Sequence, residues 1–192
     1  MLILLAGLVL FLGIHSIRVF ADAWRSRQIS RIGLMPWKGI YSVVSIVSFG
    51  LIIWGFSLER AVPVYLWIPP AWTRHVTIGL MLISFILLIA AYVPGNGIKA
   101  RVGHPMLLAV KVWALAHLIA NGTLADVILF GAFLVWSVVN FAVSRRRDRL
   151  AGVTYPNAGM ARTVITVIVA AVAFVLFAHF GHMWLIGVNP LS

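Results

Sequence analysis

The residues of this chain best suited to chemistry are its six histidines. There is no cysteine, which excludes disulfides, thiolate metal sites and thiol catalysis. The four carboxylates, Asp22, Glu59, Asp126 and Asp148, all stand near the ends of apolar runs, so no paired-carboxylate centre or proton relay of the usual transporter kind is visible. No Walker loop, HExxH or GxSxG segment is present. His15 lies in the first apolar run, His75 starts the third, His104 precedes the fourth, His117 lies deep within it, and His179 and His182 stand near the end of the sixth.

His117 carries the sharpest signal. On a helix its neighbours Trp113, Ala114 and Asn121 share its face, and the small Ala114 leaves room for a flat ligand beside the imidazole. A buried neutral imidazole is either a good iron ligand or the donor of an interhelical hydrogen bond. His15 is similar in kind, with Arg18 three residues on, placed either to pair with a propionate or to snorkel to the headgroups. His104 belongs to the pattern Arg101-x-Gly-His104-Pro105-Met106. Pro105 fits the first turn of a helix, so this segment offers free N–H groups and basic side chains to an anion, or is an ordinary basic helix start. Lys111, seven residues on, is close to the same stripe and long enough to snorkel. His179 and His182 share a face at helical spacing; with no carboxylate nearby in sequence, an interfacial belt with Trp184 explains them better than a metal pair.

The elements that must position these groups are membrane helices. Of 192 residues, 62% are hydrophobic and only 10% charged, and the apolar residues fall in long runs that do not alternate as a membrane strand would. Spans are expected at Leu2 to about Phe20, Lys38–Leu58, Arg74–Val93, Met106–Ala120, Thr123–Ser144 and Arg162–Leu185. This is an all-α, polytopic bundle of about six spans. The fourth is short for a crossing. Between it and the fifth, Asn121-Gly122 suits positive φ and a tight hairpin. The first run lacks a basic start and a small-residue cleavage site, and reads as a retained span rather than a signal peptide.

Charge orients the bundle. Arg18, Arg25, Arg27, Arg31 and Lys38 fall in the first connection, Lys99 and Arg101 in the third, and Arg145, Arg146, Arg147, Arg149 and Arg162 in the fifth, which is twelve of the fifteen basic residues. The positive-inside rule therefore puts the odd connections in the cytoplasm and both termini, Ser192 included, outside. Topology and anionic headgroups account for the net charge of +11. Nucleic acid is not needed as a partner, since the Arg145–Arg149 run directly follows a span and has no interleaved aromatics.

Three segments add what spacing does not. Gly13-Ile-His15-Ser16-Ile-Arg18, Ala91-Tyr-Val-Pro-Gly-Asn96, and Gly103-His104-Pro105-Met106 with Lys111-Val-Trp113-Ala-Leu-Ala-His117-Leu-Ile-Ala-Asn121-Gly122 resemble the bacterial NnrU family over essentially the whole chain, 1–192 as one transmembrane domain. That family is associated with nitrite and nitric oxide metabolism in denitrifiers and is related to plant 15-cis-ζ-carotene isomerase, a haem b membrane enzyme. The resemblance implies a multi-pass protein of the bacterial inner membrane that binds haem b, with His15 and His117 as axial ligands. It makes Arg18, His104 and Asn121 candidates for holding the cofactor, and a small apolar or nitrogen-oxide molecule a candidate ligand. The plant enzymes carry a cysteine where this chain has Ala114, so a thiolate ligand swap is not available.

Depth sets a condition on that ligand pair. With the first span ending at Arg18, His15 lies about 5 Å from the boundary and His117 about 18 Å in, whereas two axial ligands stand only about 4 Å apart across an iron. A first helix running on to about Trp24 would place His15 roughly 13 Å deep; without it, His15 with His104 is the better-matched pair by depth. Two alternatives remain. One is a membrane methyltransferase using S-adenosylmethionine at an Arg-His-Pro motif, here interrupted as Arg101-Val-Gly-His104 and lacking the acidic partners of that family. The other is a cofactor-free scaffold or permease.

Overall fold

The computed structural model describes residues 1–191; Ser192, expected outside, lies beyond the described residues. The chain is helical almost throughout, and five helices are long and apolar enough to cross a membrane. These are α1 (Leu2–Phe20), α3 (Leu34–Ala61), α4 (Thr73–Tyr92), α7 (Leu124–Leu150) and the run Met160–Ile186, which consists of α8 (Met160–Leu176), a π turn (Phe177–Gly181) and α9 (His182–Ile186). The sixth expected span is α6 (Pro105–Ala120), whose 16 residues rise about 24 Å against a hydrocarbon core of about 30 Å. Two short polar helices complete the set, α2 (Asp22–Ile32) and α5 (Gly97–Val102).

Several boundaries differ from expectation. α1 does not continue to Trp24: Ala21, at φ −140° and ψ 39°, breaks it after Phe20, and α2 starts anew with no buried residue. α3 begins earlier than Lys38, because Pro36 sits in its first turn, where a missing N–H removes no helical bond. α7 runs past Ser144 through the whole Arg145–Arg149 segment. The Asn121-Gly122 break is also made differently. Asn121 is extended, at φ −127° and ψ 145°, and Gly122 is not among the glycines with positive φ. Gly122 is needed for close approach instead: a Cβ there would stand 2.1 Å from the Trp67 carbonyl oxygen.

The chain divides into two compact units. The first comprises Met1–Trp67 and Gly122–Trp136. In it α1 and α3 pack backbone to backbone, because a Cβ on Gly55 would meet Leu4 N at 2.4 Å and one on Gly7 would meet Ile52 N at 2.8 Å. Small residues at such a crossing replace the hydrophobic drive that lipid does not supply. Thr123 and Asp126 start α7 with reciprocal bonds, Thr123 Oγ1 donating to Asp126 Oδ2 at 2.5 Å and Asp126 N donating to Thr123 Oγ1 at 3.2 Å.

The second unit comprises Ile68–Asn121 and the chain from Ser137 onward. α4 packs on α6 and α8. Hydroxyls stitch α4 to α6: Thr77 Oγ1 donates to the Ala116 carbonyl at 3.0 Å and Ser84 Oγ to that of Ala109 at 2.9 Å. In the second half of α7 the buried residues are Ser137, Asn140, Ser144 and Asp148, all of them polar and on one face.

Candidate functional site

His15 is part-buried in the first unit, its Nδ1 2.6 Å from the carbonyl oxygen of Phe11, one turn back on α1. A carbonyl only accepts, so Nδ1 carries the proton and the lone pair of the ring falls on Nε2. Aromatic rings fix the orientation: Phe11 stacks at 4.1 Å, while Tyr41 and Trp136 present edges at 5.2 and 6.3 Å. Trp136 is itself held by its Nε1–H, which donates to Ser16 Oγ at 3.1 Å. Arg18 is exposed in the last turn of α1.

His117, in the second unit, repeats the same arrangement. Its Nδ1 donates to the carbonyl of Trp113 at 2.9 Å, again placing the lone pair on Nε2, and the Trp113 ring lies 5.4 Å away. Ala114, beside it on the helix face, is fully buried. Asn121 does not turn its amide to the His117 ring; its Nδ2 donates to the His117 carbonyl at 2.8 Å and closes the end of α6. His15 and His117 thus share one tautomer but belong to different units.

His104 is arranged the opposite way. It caps the start of α6, with Pro105 in the first turn as expected, and its Nε2 lies 2.7 Å from Asp148 Oδ2. A carboxylate only accepts, so here Nε2 carries the proton. Tyr155 donates its hydroxyl to the same Oδ2 at 2.6 Å and stands 3.4 Å from His104 Nε2. Burial, reinforced by the Asp148 carboxylate, pushes the Tyr155 phenol up to about 12. Gly103, at φ +74°, admits the cluster: a Cβ there would stand 2.7 Å from Arg145 Nη1 and 3.1 Å from the Tyr155 ring. The His104 imidazole at this helix start is thus taken by the chain's own Asp148. Lys111, one face up α6, places Nζ 4.8 Å from the centre of the Phe141 ring.

The remaining histidines are not gathered into a site. His179 bonds to the Val175 carbonyl at 3.0 Å and His182 to that of Val188 at 2.7 Å, so their rings turn to opposite ends of the π turn. His75 is exposed. Among the described residues no three His, Cys, Asp or Glu side chains are placed to hold a metal ion.

The family model described as NnrU protein matches residues 3–190. The chain belongs to the NnrU family. No curated protein and no solved structure matches it. As an NnrU protein with five apolar helices of spanning length and a shorter sixth, it is a membrane protein. Reading the sequence missed Asp148 and Tyr155 as partners of His104. The only available hint was a single acid inside the arginine run of this NnrU chain, Arg147-Asp148-Arg149.

Proposed function

We propose that this NnrU protein binds haem b in the bacterial inner membrane through the Nε2 atoms of His15 and His117, and works in nitrite or nitric oxide metabolism or in an isomerase-like reaction. The observation that carries the reading is the hydrogen-bond wiring of the histidines. His15 and His117 each give the Nδ1 proton to the carbonyl one turn back, the orienting bond typical of metal-bound imidazole, which leaves Nε2 as the donor atom; His179 makes the same bond, but on an exposed ring, whereas these two are part-buried. α1 ends at Phe20, so depth alone would pair His15 with His104, but His104 commits Nε2 to Asp148, which sets it aside in favour of His117. A porphyrin brings four nitrogens of its own, so only axial ligands are asked of the protein. When bound, haem supplies an iron that carries an electron or acts as a Lewis acid.

The residues of the chain would bind and orient. Phe11, Tyr41 and Trp136 restrict the His15 ring, Ser16 fixes Trp136, and Ala114 keeps the face beside His117 small. Arg18, exposed at the end of α1, is available to a propionate. The deciding measurement is the visible spectrum of detergent-purified protein, expressed with ample haem, before and after dithionite. A reduced spectrum with sharp α and β bands supports the reading; colourless protein leaves the scaffold or permease.

A further inference from the structure

Between α5 and the start of α8 lies a cavity of about 630 Å³. Its walls are held in place. Gly97 N donates to Thr163 Oγ1 at 2.8 Å, Ala158 N to the Gly95 carbonyl at 2.8 Å, and Arg162 Nη1 to the Pro94 carbonyl at 2.9 Å. Its lining is mixed, with Ile98, Val102 and Met160 apolar and Arg101, Asn157 and Thr163 polar.

The electrostatics of the cavity are one-sided. No carboxylate lines it, and Asp148, the acid of this unit's basic run, is engaged by His104 and Tyr155. Lys99 directs Nζ at the Ala91 carbonyl at 3.0 Å, and Arg162 is bound to Pro94. Arg101 lines the cavity, is exposed, and is in none of the ion pairs among the described residues. Asn157 turns Oδ1 to Gly159 N at 3.1 Å, which leaves its NH₂ to donate.

We propose that this cavity binds the headgroup of an anionic phospholipid, its phosphate against Arg101 and the Asn157 amide and its acyl chains along Ile98, Val102 and Met160. A guanidinium and an amide donor beside apolar side chains fit an amphiphile with an anionic head better than a free anion, which has no use for the apolar contacts. The position fits as well. α5 connects the end of α4 to the start of α6 and lies beside the first turn of α8, at apolar-helix ends, the level that headgroups take, and Met160 is 76% exposed.

The test is native mass spectrometry of delipidated protein titrated with phosphatidylglycerol or phosphatidylcholine, each of the same acyl chains. Phosphatidylglycerol should bind at least about tenfold more tightly, because no choline cation offsets its phosphate charge beside Arg101, and Arg101→Gln should remove most of that preference. Arg27→Gln, on α2 outside the cavity, should leave it unchanged, while Met160→Trp, which enlarges an apolar lining residue, should weaken both lipids. Equal binding of the two lipids overturns the proposal, as does an equal effect of Arg27→Gln and Arg101→Gln, which would mean diffuse surface charge. Displacement of phosphatidylglycerol by millimolar inorganic phosphate overturns it too, since the site would then take the free anion.

Discussion

His104 Nε2 and Asp148 Oδ2 stand 2.7 Å apart although 44 residues separate them in sequence. The bond joins the start of α6 to the end of α7, and Tyr155 completes it from the following loop. A carboxylate so held is expensive to strand, so the cluster ties three segments together more firmly than its size suggests.

Removing one member should therefore destabilise the protein in detergent. Asp148→Asn should lower stability by about 1–3 kcal/mol, since it weakens two charge-assisted bonds at a partly buried site. Tyr155→Phe should cost about 1 kcal/mol. Thermal unfolding followed by size-exclusion chromatography measures both, and a Tyr155→Phe effect larger than that of Asp148→Asn would contradict the arrangement.

The raised phenol adds a dependence on pH. The folded value of Tyr155, about 12 against an ordinary 10, means that folding favours the neutral hydroxyl. Its stabilising contribution is thus fully present below pH 10 and is lost as pH rises toward 12. Ultraviolet titration should show a late-ionising tyrosine that Asp148→Asn moves to lower pH. Tyr155→Phe should flatten the loss of stability between those values.

The proposed iron ligands give different outcomes on substitution. His117→Ala should remove most bound haem, because the neighbouring Asn121 amide is already bonded to a backbone carbonyl. His15→Ala should leave a high-spin species that added imidazole returns to low spin. His75→Ala, His179→Ala and His182→Ala should leave the spectrum unchanged. A spectrum indifferent to both His15 and His117 would remove the reading.

Close packing of α1 on α3 predicts an asymmetry among glycines. Gly55→Ala drives a methyl into the backbone of Leu4 and should cost about 1–3 kcal/mol, whereas Gly79→Ala, with nothing within 4 Å, should be neutral or slightly stabilising. Thermal unfolding of the two variants side by side decides the matter.

Topology is tested by reporter fusions. Fusions in the segments around Arg27, Arg101 and Arg147 should report the cytoplasm, and one at Ser192 the outside. A cytoplasmic C-terminus would mean that α6, with its 16 residues, does not cross.

Much of the fold was readable because long apolar runs have only one way to satisfy their backbone in lipid. The breaks were harder. Ala21 ends α1 with neither glycine nor proline to announce it, and the Asn121-Gly122 break, read as a positive-φ hairpin, depends on Gly122 making room for Trp67. The candidate site was legible residue by residue but not in its wiring. Nothing local to His104 reveals that its partners are Asp148 and Tyr155, and nothing local to Ser16 reveals that it holds Trp136. Those relations arise only when helices pack, which periodicity does not encode.

The polar face of α7 reverses the usual grammar of mutation. In a helix of a water-soluble protein, drift is tolerated on the polar side and punished on the apolar side. Along the second half of α7 the apolar Val138 and Val139 are exposed, while Ser137, Asn140, Ser144 and Asp148 are buried. A change from Ser137 to valine would raise the hydrophobicity of the segment and help it enter the bilayer, yet harm the finished protein. Hydrophobicity alone would rank such variants in the wrong order.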